Sequence, residues 1–188
     1  MKKIVAGTLA AALVLPAMAV NVFADEKGVD IKSTFKDENL QKFVADELDL
    51  DKDGSLSNDE IDCARYIYCD GREIESLEGI EVFSSLEELY CNYNKLTKID
   101  VSSLKNLKSL YVDGNQLTKL DVSANTNLSV LFCGSNKLTE LDVSKLTNLE
   151  QLDCMNNQLT SLDVSNNTEL AYLLCGENNI PSINLSKN

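Results

Sequence analysis

The sequence repeats itself every 21 residues from residue 86 onward, and this regularity limits the chain to a small set of folds. Five units share the pattern LxxLxCxxNxLTxLDVSxxTN with small variations, and they begin at Leu86, Leu107, Leu128, Leu149 and Leu170. A sixth, less regular unit begins near Ala64 and runs to Leu86. A constant period of this length is typical of a solenoid, in which each unit makes one turn and stacks on its neighbours.

Each unit contains a short segment with the periodicity of a β-strand. Leu89 and Cys91 are apolar with one residue between them, which is the alternation of a strand with one buried face. An asparagine recurs at one position, and its side chain suits the buried backbone groups of a bend. This asparagine column is Asn94, Asn115, Asn136, Asn157 and Asn178. Since one turn cannot bury its apolar face alone, we expect an α/β solenoid with one continuous core.

The repeat resembles the leucine-rich repeat, and its spelling LxxLxCxxNxLTxLDVS is most similar to the cysteine-bearing internalins of bacterial cell surfaces. The resemblance covers residues 64–188 and implies parallel strands on a concave face. A unit of 21 residues leaves little room for a helix, so we expect extended or 3₁₀ segments on the convex side. It also implies a binding protein rather than an enzyme.

The remaining sequence divides into an export signal and a cap. Residues 1–24 combine a basic start, an apolar run and a small-residue cleavage pattern, which predicts a signal peptide. We assign residues 25–65 to a helix-loop-helix cap and 66–188 to the solenoid. The protein is therefore expected outside a bacterial cell, secreted or at its surface, with no membrane insertion.

Composition excludes several classes of function. The net charge of -13 argues against nucleic acid and anionic membranes as partners. The absence of histidine removes the usual general base and the usual ligand of catalytic zinc.

Five of the six cysteines occupy one repeat position, which we call the cysteine column: Cys69, Cys91, Cys133, Cys154 and Cys175. Val112 takes this position in the remaining unit. Because valine can form neither a disulfide nor a metal bond, we interpret the column as packing and expect free thiols. The spacing of adjacent strands also permits a disulfide between 69 and 91, 133 and 154, or 154 and 175, and Cys63 lies off the column.

Residues 49–60, DLDKDGSLSNDE, resemble the calcium loop of the EF-hand, and the flanking segments resemble half of a dockerin. The resemblance assigns Ca²⁺ ligands to Asp49, Asp51, Asp53, Ser55 (carbonyl), Ser57 (through water) and Glu60 (bidentate). Gly54 permits the sharp turn. We expect a structural ion that folds the cap, and the alternative is a solvated acidic turn without an ion.

Residues between the buried leucines of each strand should face outward across the concave sheet. One outward column reads Tyr68, Tyr90, Tyr111, Phe132, Asp153 and Leu174, and its neighbour begins at Tyr66 and ends at Tyr172. The third outward column runs from Asp70 through Asp113 to Gly176. An exposed aromatic row rimmed by acids is typical of a recognition surface, although aromatic residues also favour strands for packing alone.

We therefore expect recognition of an extracellular protein or glycoprotein through Tyr66, Tyr68, Tyr90, Tyr111, Phe132, Asp153 and Tyr172. The alternative is a scaffold that docks into an extracellular complex through the calcium unit, and the oligomeric state is left open. An enzyme is disfavoured. The aspartates that could serve as catalytic carboxylates, such as Asp100 and Asp121, occupy one repeat position near a serine. A residue that recurs from turn to turn usually has a structural role, here in local backbone hydrogen bonds.

Overall fold

The computed structural model describes residues 28–188, so the expected signal peptide at 1–24 lies outside the described residues. The first elements form the cap: β1 (Val29–Asp30), α1 (Ile31–Thr34), α2 (Glu38–Glu47), β2 (Ser55–Leu56) and α3 (Asn58–Cys63). The sheet strands follow: β3 (Tyr66–Tyr68), β4 (Glu88–Tyr90), β5 (Ser109–Tyr111), β6 (Val130–Phe132), β7 (Gln151–Asp153) and β8 (Tyr172–Leu174).

The six later strands form one parallel sheet in sequence order, which confirms the predicted solenoid. Register advances by one repeat per strand, so that Tyr90 pairs with Tyr111 and Tyr111 with Phe132. The irregular unit before Leu86 contributes β3, which pairs with β4 in the same way. Each outward column is therefore a straight row running across the sheet.

Among the described residues, turns and a short 3₁₀ helix rather than α-helices form the convex side, as a 21-residue unit predicts. A 3₁₀ helix covers Ile80–Val82, and later units use successive i to i+3 hydrogen bonds such as Leu104 N to Val101 O. The aspartate that recurs on this side caps the next turn, because the Asp100 carboxylate accepts from Ser102 N at 2.9 Å. The same bond recurs at Asp121, Asp142 and Asp163.

The asparagine column holds successive turns together. The Asn136 side chain donates to the carbonyls of Val112 and Cys133, and its oxygen accepts from Leu117 N at 3.0 Å. The predicted inward orientation is confirmed. Because these groups are buried, their pairing removes the penalty of unsatisfied backbone polar atoms inside the solenoid.

A second inward asparagine position was not singled out by the sequence analysis. Asn125 and Asn167 are fully buried, and Asn125 donates to the carbonyls of Val101 and Leu104 on the preceding turn. Leu146 occupies the equivalent position between them. Because asparagine and leucine alternate there, the repeat pattern did not indicate a second asparagine column.

The cap closes the first turn of the solenoid through both apolar and polar contacts. The rings of Phe35 and Phe83 stack with centroids 5.9 Å apart. Asp37 caps α2 by accepting from Asn39 N, and its other oxygen accepts from Glu75 N at 2.8 Å. One carboxylate thus starts the helix and also ties it to the repeats.

Candidate functional site

The concave face carries all seven residues predicted to bind a ligand. Tyr66, Tyr68 and Tyr172 are exposed, and Tyr90, Tyr111, Phe132 and Asp153 are partly exposed. Their strand neighbours Ile67, Leu89 and Leu110 are fully buried, as the period of two requires. The structure therefore brings the seven side chains onto one surface, and their binding role stays a prediction.

The aromatic residues of the central column are in contact from turn to turn; we call Tyr68, Tyr90, Tyr111 and Phe132 the aromatic row. Tyr68 and Tyr90 stack at 4.6 Å between ring centroids, and Tyr90 and Tyr111 at 4.2 Å with planes 10° apart. Phe132 meets Tyr111 edge-on at 5.1 Å. The row is continuous over four turns, and at Phe132 the orientation of the rings changes.

Tyr172 extends the aromatic surface from the neighbouring column. Its ring lies 6.3 Å from that of Phe132, across the strand that carries Asp153. At the other side of the row, the Tyr90 hydroxyl donates to Glu88 at 2.9 Å. Burial and this hydrogen bond raise the pKa of Tyr90, so the phenol stays neutral throughout the physiological range.

Carboxylates border the aromatic row. Asp113 is half-buried, and its Oδ1 accepts from Gly134 N at 2.6 Å. Burial raises the pKa of Asp113 to about 6, and the nearby charges of Asp153 and Asp70 add to the shift. Burial likewise raises the pKa of Asp70. Asp70 and Asp113 were not among the predicted site residues, although their place in the third outward column was the available signal.

Behind the aromatic row, the cysteine column lies inside the solenoid. Cys69, Cys91, Cys133 and Cys154 are fully buried, Cys175 is partly buried, and all six thiols of the chain are free. Val112 is equally buried at the same position, in agreement with a packing role. Burial raises the pKa of Cys69 and Cys154 to about 12, so these thiols are unreactive in the folded protein.

The acidic loop of the cap brings three of the six predicted metal ligands together. Carboxylate oxygens of Asp49, Asp51 and Asp53 lie within 4.8 Å of one another. Asp49 is only 2% exposed, and its Oδ1 has no hydrogen-bond partner. A buried, unpaired carboxylate oxygen is costly unless a cation compensates it, so this cluster fits a hard cation.

The other three predicted ligands have different surroundings. Ser57 caps α3, and the Glu60 carboxylate accepts from Ser57 N at 2.8 Å and from Leu50 N at 2.6 Å. Ser55 lies in β2, which pairs with β1. Glu60 would have to turn away from these partners to close a metal site, so its ligand role stays a prediction.

Sequence comparison identifies the repeat. A family model described as leucine-rich repeats in two copies matches residues 84–125 and 126–167. Residues 84–167 therefore carry leucine-rich repeats. The two matches span four consecutive turns of the solenoid, and the sheet continues with the same register on either side of them.

Solved leucine-rich-repeat structures agree in fold. The functional domain of InlJ from Listeria monocytogenes, described as including a cysteine ladder, is 32% identical with a TM-score of 0.71, over 86% of this chain and 41% of that one. The internalin InlF of the same organism is 27% identical with a TM-score of 0.76, over 83% and 48%. A leucine-rich-repeat protein of Leptospira interrogans is 29% identical with a TM-score of 0.52, over 61% and 34%.

This chain spans less than half the length of either internalin structure. A comparison with curated proteins gave no significant match. Within residues 28–188, none of the helices has the length and apolar character needed to cross a membrane.

Proposed function

We propose that this chain is a secreted bacterial protein whose concave face recognises another protein or glycoprotein outside the cell. The observation that carries the proposal is the aromatic row, in which four rings contact one another in sequence while remaining accessible to solvent. Large aromatic side chains lose little conformational freedom when they are buried by a partner, and they dominate the energy of many protein interfaces.

Packing alone is the rival explanation of the aromatic row. Cross-strand aromatic pairs stabilise a sheet by about 0.2–1 kcal/mol each, and this benefit would exist without a ligand. However, Tyr68 in the row is 57% exposed and Tyr172, which extends the aromatic surface beside the row, is 44% exposed. Aromatic surface therefore stays in contact with water. A contiguous exposed apolar patch of this kind usually marks an interaction site.

The comparisons support the class of function. Leucine-rich-repeat proteins bind other proteins, and the internalin-like relatives are bacterial surface or secreted proteins. The basic start and apolar run of residues 1–24 support export by a signal peptide. The recurring convex aspartates bond their own turns, as Asp121 does with Ser123 N, which supports a binding protein over a hydrolase.

The proposal includes one Ca²⁺ ion in the loop at 49–60, with Asp49, Asp51 and Asp53 as its main ligands. The support is the orphaned Oδ1 of Asp49 together with the proximity of the three carboxylates. We assign the ion a structural role, since the loop joins α2 to α3 and the same cap covers the first turn of the solenoid.

Binding by the aromatic row is tested with the double variant Tyr90→Ser/Tyr111→Ser. Screened against extracellular proteins and glycoproteins, the wild-type chain should select a partner that the double variant no longer binds. Tyr93→Ser is the matched control, because Tyr93 is 72% exposed but lies outside the three outward columns. Circular dichroism should show the same fold for all three chains. Unchanged binding by a folded Tyr90→Ser/Tyr111→Ser variant would contradict the proposal.

A further inference from the structure

The charged residues of the concave face all carry the same sign of charge. The first outward column reads Tyr66, Glu88, Ser109, Val130, Gln151 and Tyr172, the second Tyr68, Tyr90, Tyr111, Phe132, Asp153 and Leu174, and the third Asp70, Asn92, Asp113, Gly134, Met155 and Gly176. Four of these residues are acidic and none is basic. The basic residues at the edge are already engaged, since Arg65 and Lys108 both bond Glu87.

The aspartates of the third outward column accept backbone hydrogen bonds that align the turns, but this role does not require a negative charge. Asp70 accepts from Asn92 N, and Asp113 accepts from Gly134 N on the following turn. Between them, Asn92 performs the same task with a neutral amide, accepting from Asp113 N at 2.8 Å. A neutral side chain therefore suffices for this hydrogen bond, and the bond does not require the negative charge of Asp113.

That charge is also costly in the isolated protein. Asp113 is half-buried and faces the carboxylates of Asp153 and Asp70, and no described Lys or Arg forms an ion pair with any of the three. A half-buried carboxylate without a counter-charge is destabilising, so an arriving cation would gain the attraction and relieve the repulsion.

Gly134 lies between two of these carboxylates. A Cβ atom at this position would lie 3.1 Å from Asp153 Oδ1, 3.2 Å from Asp113 Oδ1 and 3.3 Å from the carbonyl oxygen of Met155. Gly134 does not have a positive φ, so its backbone does not require glycine. Because Gly134 has no side chain, these three oxygens converge over its buried Cα atom, and we call this arrangement the notch.

Two aromatic residues neighbour this notch in the sheet. Phe132 directly pairs with Asp153 in the sheet, and Tyr111 meets Phe132 edge-on. A lysine or arginine side chain has an apolar stem that packs on rings and a charged head that needs oxygen partners. The arrangement of rings beside oxygens matches these two parts.

We propose that the concave face binds a basic segment of a partner protein, with a lysine or arginine head between Asp113 and Asp153 above Gly134 and its stem against Tyr111 and Phe132. This inference rests on the proposed function and specifies the chemistry of the partner. It favours a basic protein segment over a neutral glycan, because a neutral ligand would leave the four acidic charges uncompensated.

The probe is a fluorescently labelled peptide of alternating lysine and serine, measured by anisotropy at about 0.15 M salt, with a glutamate-serine peptide as the negative control. The wild-type chain should bind only the lysine peptide. Asp113→Asn/Asp153→Asn should bind it about tenfold more weakly, because asparagine keeps each hydrogen-bond acceptor and removes only the charge. Gly134→Ala should also weaken binding, since the new methyl group enters the notch.

The matched control is Asp121→Asn/Asp142→Asn, which removes the same charge from the convex side and should change affinity by less than about twofold. If the two double variants lost the same affinity for the lysine peptide, the effect would come from net charge alone, and the inference would be overturned. Absence of lysine-peptide binding by the wild-type chain, or undiminished binding by Asp113→Asn/Asp153→Asn, would overturn it as well.

The proposed function is judged separately with the protein partner from the screen. If Tyr90→Ser/Tyr111→Ser loses that partner while Asp113→Asn/Asp153→Asn retains it, recognition through the aromatic row stands and the cationic inference fails. If a screened glycan binds wild-type and Asp113→Asn/Asp153→Asn chains equally, the basic segment is the wrong class of ligand. If neither pair of substitutions affects a bound partner, the concave face is not the binding surface and both proposals fail.

Discussion

The Oδ1 atom of Asp113 lies 2.6 Å from the backbone nitrogen of Gly134, so a carboxylate on one turn of the solenoid holds the amide of the next. The aligned turns that make this bond possible also place Asp153 close to the same glycine. Asp113 therefore contributes to the fold through its oxygen and opposes it through its charge, and the two effects can be separated experimentally.

Asp113→Asn should raise the free energy of unfolding at pH 7 by about 1 kcal/mol. The gain is modest because solvent screens the charge of a half-buried group. The pKa of Asp113 is raised from 3.8 to about 6, so between about pH 4 and about pH 6 the folded state holds a proton that the unfolded state has lost. Wild-type stability should accordingly fall as pH rises from about 4 to about 6 through this group, and the variant should lack that contribution.

Denaturant unfolding of both chains between pH 4 and pH 8 measures this difference, with the neighbouring carboxylates Asp70 and Asp153 left intact. Asp121→Asn serves as the contrast, since hydrogen bonds from Ser123 lower the pKa of Asp121 and its ionised form is the favoured one. That control should not gain stability at pH 7. A destabilised Asp113→Asn chain would show that the charge itself supports the fold.

Calcium should raise the melting temperature, and chelator should lower it. With a Kd of about 10⁻⁴ M, ion at a hundred times this concentration would stabilise the folded chain by about 2.7 kcal/mol. Asp49→Asn should abolish the response and, without calcium, should be at least as stable as the wild type, because it removes a buried unpaired charge.

Asp59→Asn is the control for the calcium experiment, because Asp59 is exposed in the first turn of α3 and is not an assigned ligand. It should keep the full calcium response. A melting temperature of the wild-type chain that is insensitive to both calcium and chelator would mean that the loop is a solvated acidic turn.

Thiol reactivity should follow burial. In the folded protein only Cys63 should react rapidly with a disulfide reagent, because it is the exposed cysteine, and the partly buried Cys175 should react more slowly. In denaturant, all six thiols should react. A smaller final count would reveal a disulfide or another modification in the cysteine column.

Asn136→Ala should destabilise the chain by about 3 kcal/mol or more, because it leaves several buried backbone groups without partners. Urea unfolding measures the loss. Asn148→Ala is the matched control, since Asn148 makes a single exposed hydrogen bond to Thr126, and its effect should stay within about 0.5 kcal/mol. Comparable losses for the two variants would contradict the role given to the asparagine column.

The sequence alone determined which residues of each turn face the core and which face the concave surface. A strand alternates its side chains with a period of two, and a constant 21-residue repeat then carries each choice to the next turn. For this reason the buried position of Cys91 and the outward position of Tyr90 could be predicted, as could the inward Asn136.

Only the tertiary structure decided how outward residues meet across turns. The oxygens of Asp113 and Asp153 approach Gly134 from two different strands, and Phe132 reaches Tyr172 two strands away. The complete burial of Asp49 beside an otherwise exposed loop also arises from packing of the cap. Periodicity specifies direction, whereas distance, burial and charge depend on how the turns stack and on the side-chain conformations that stacking permits.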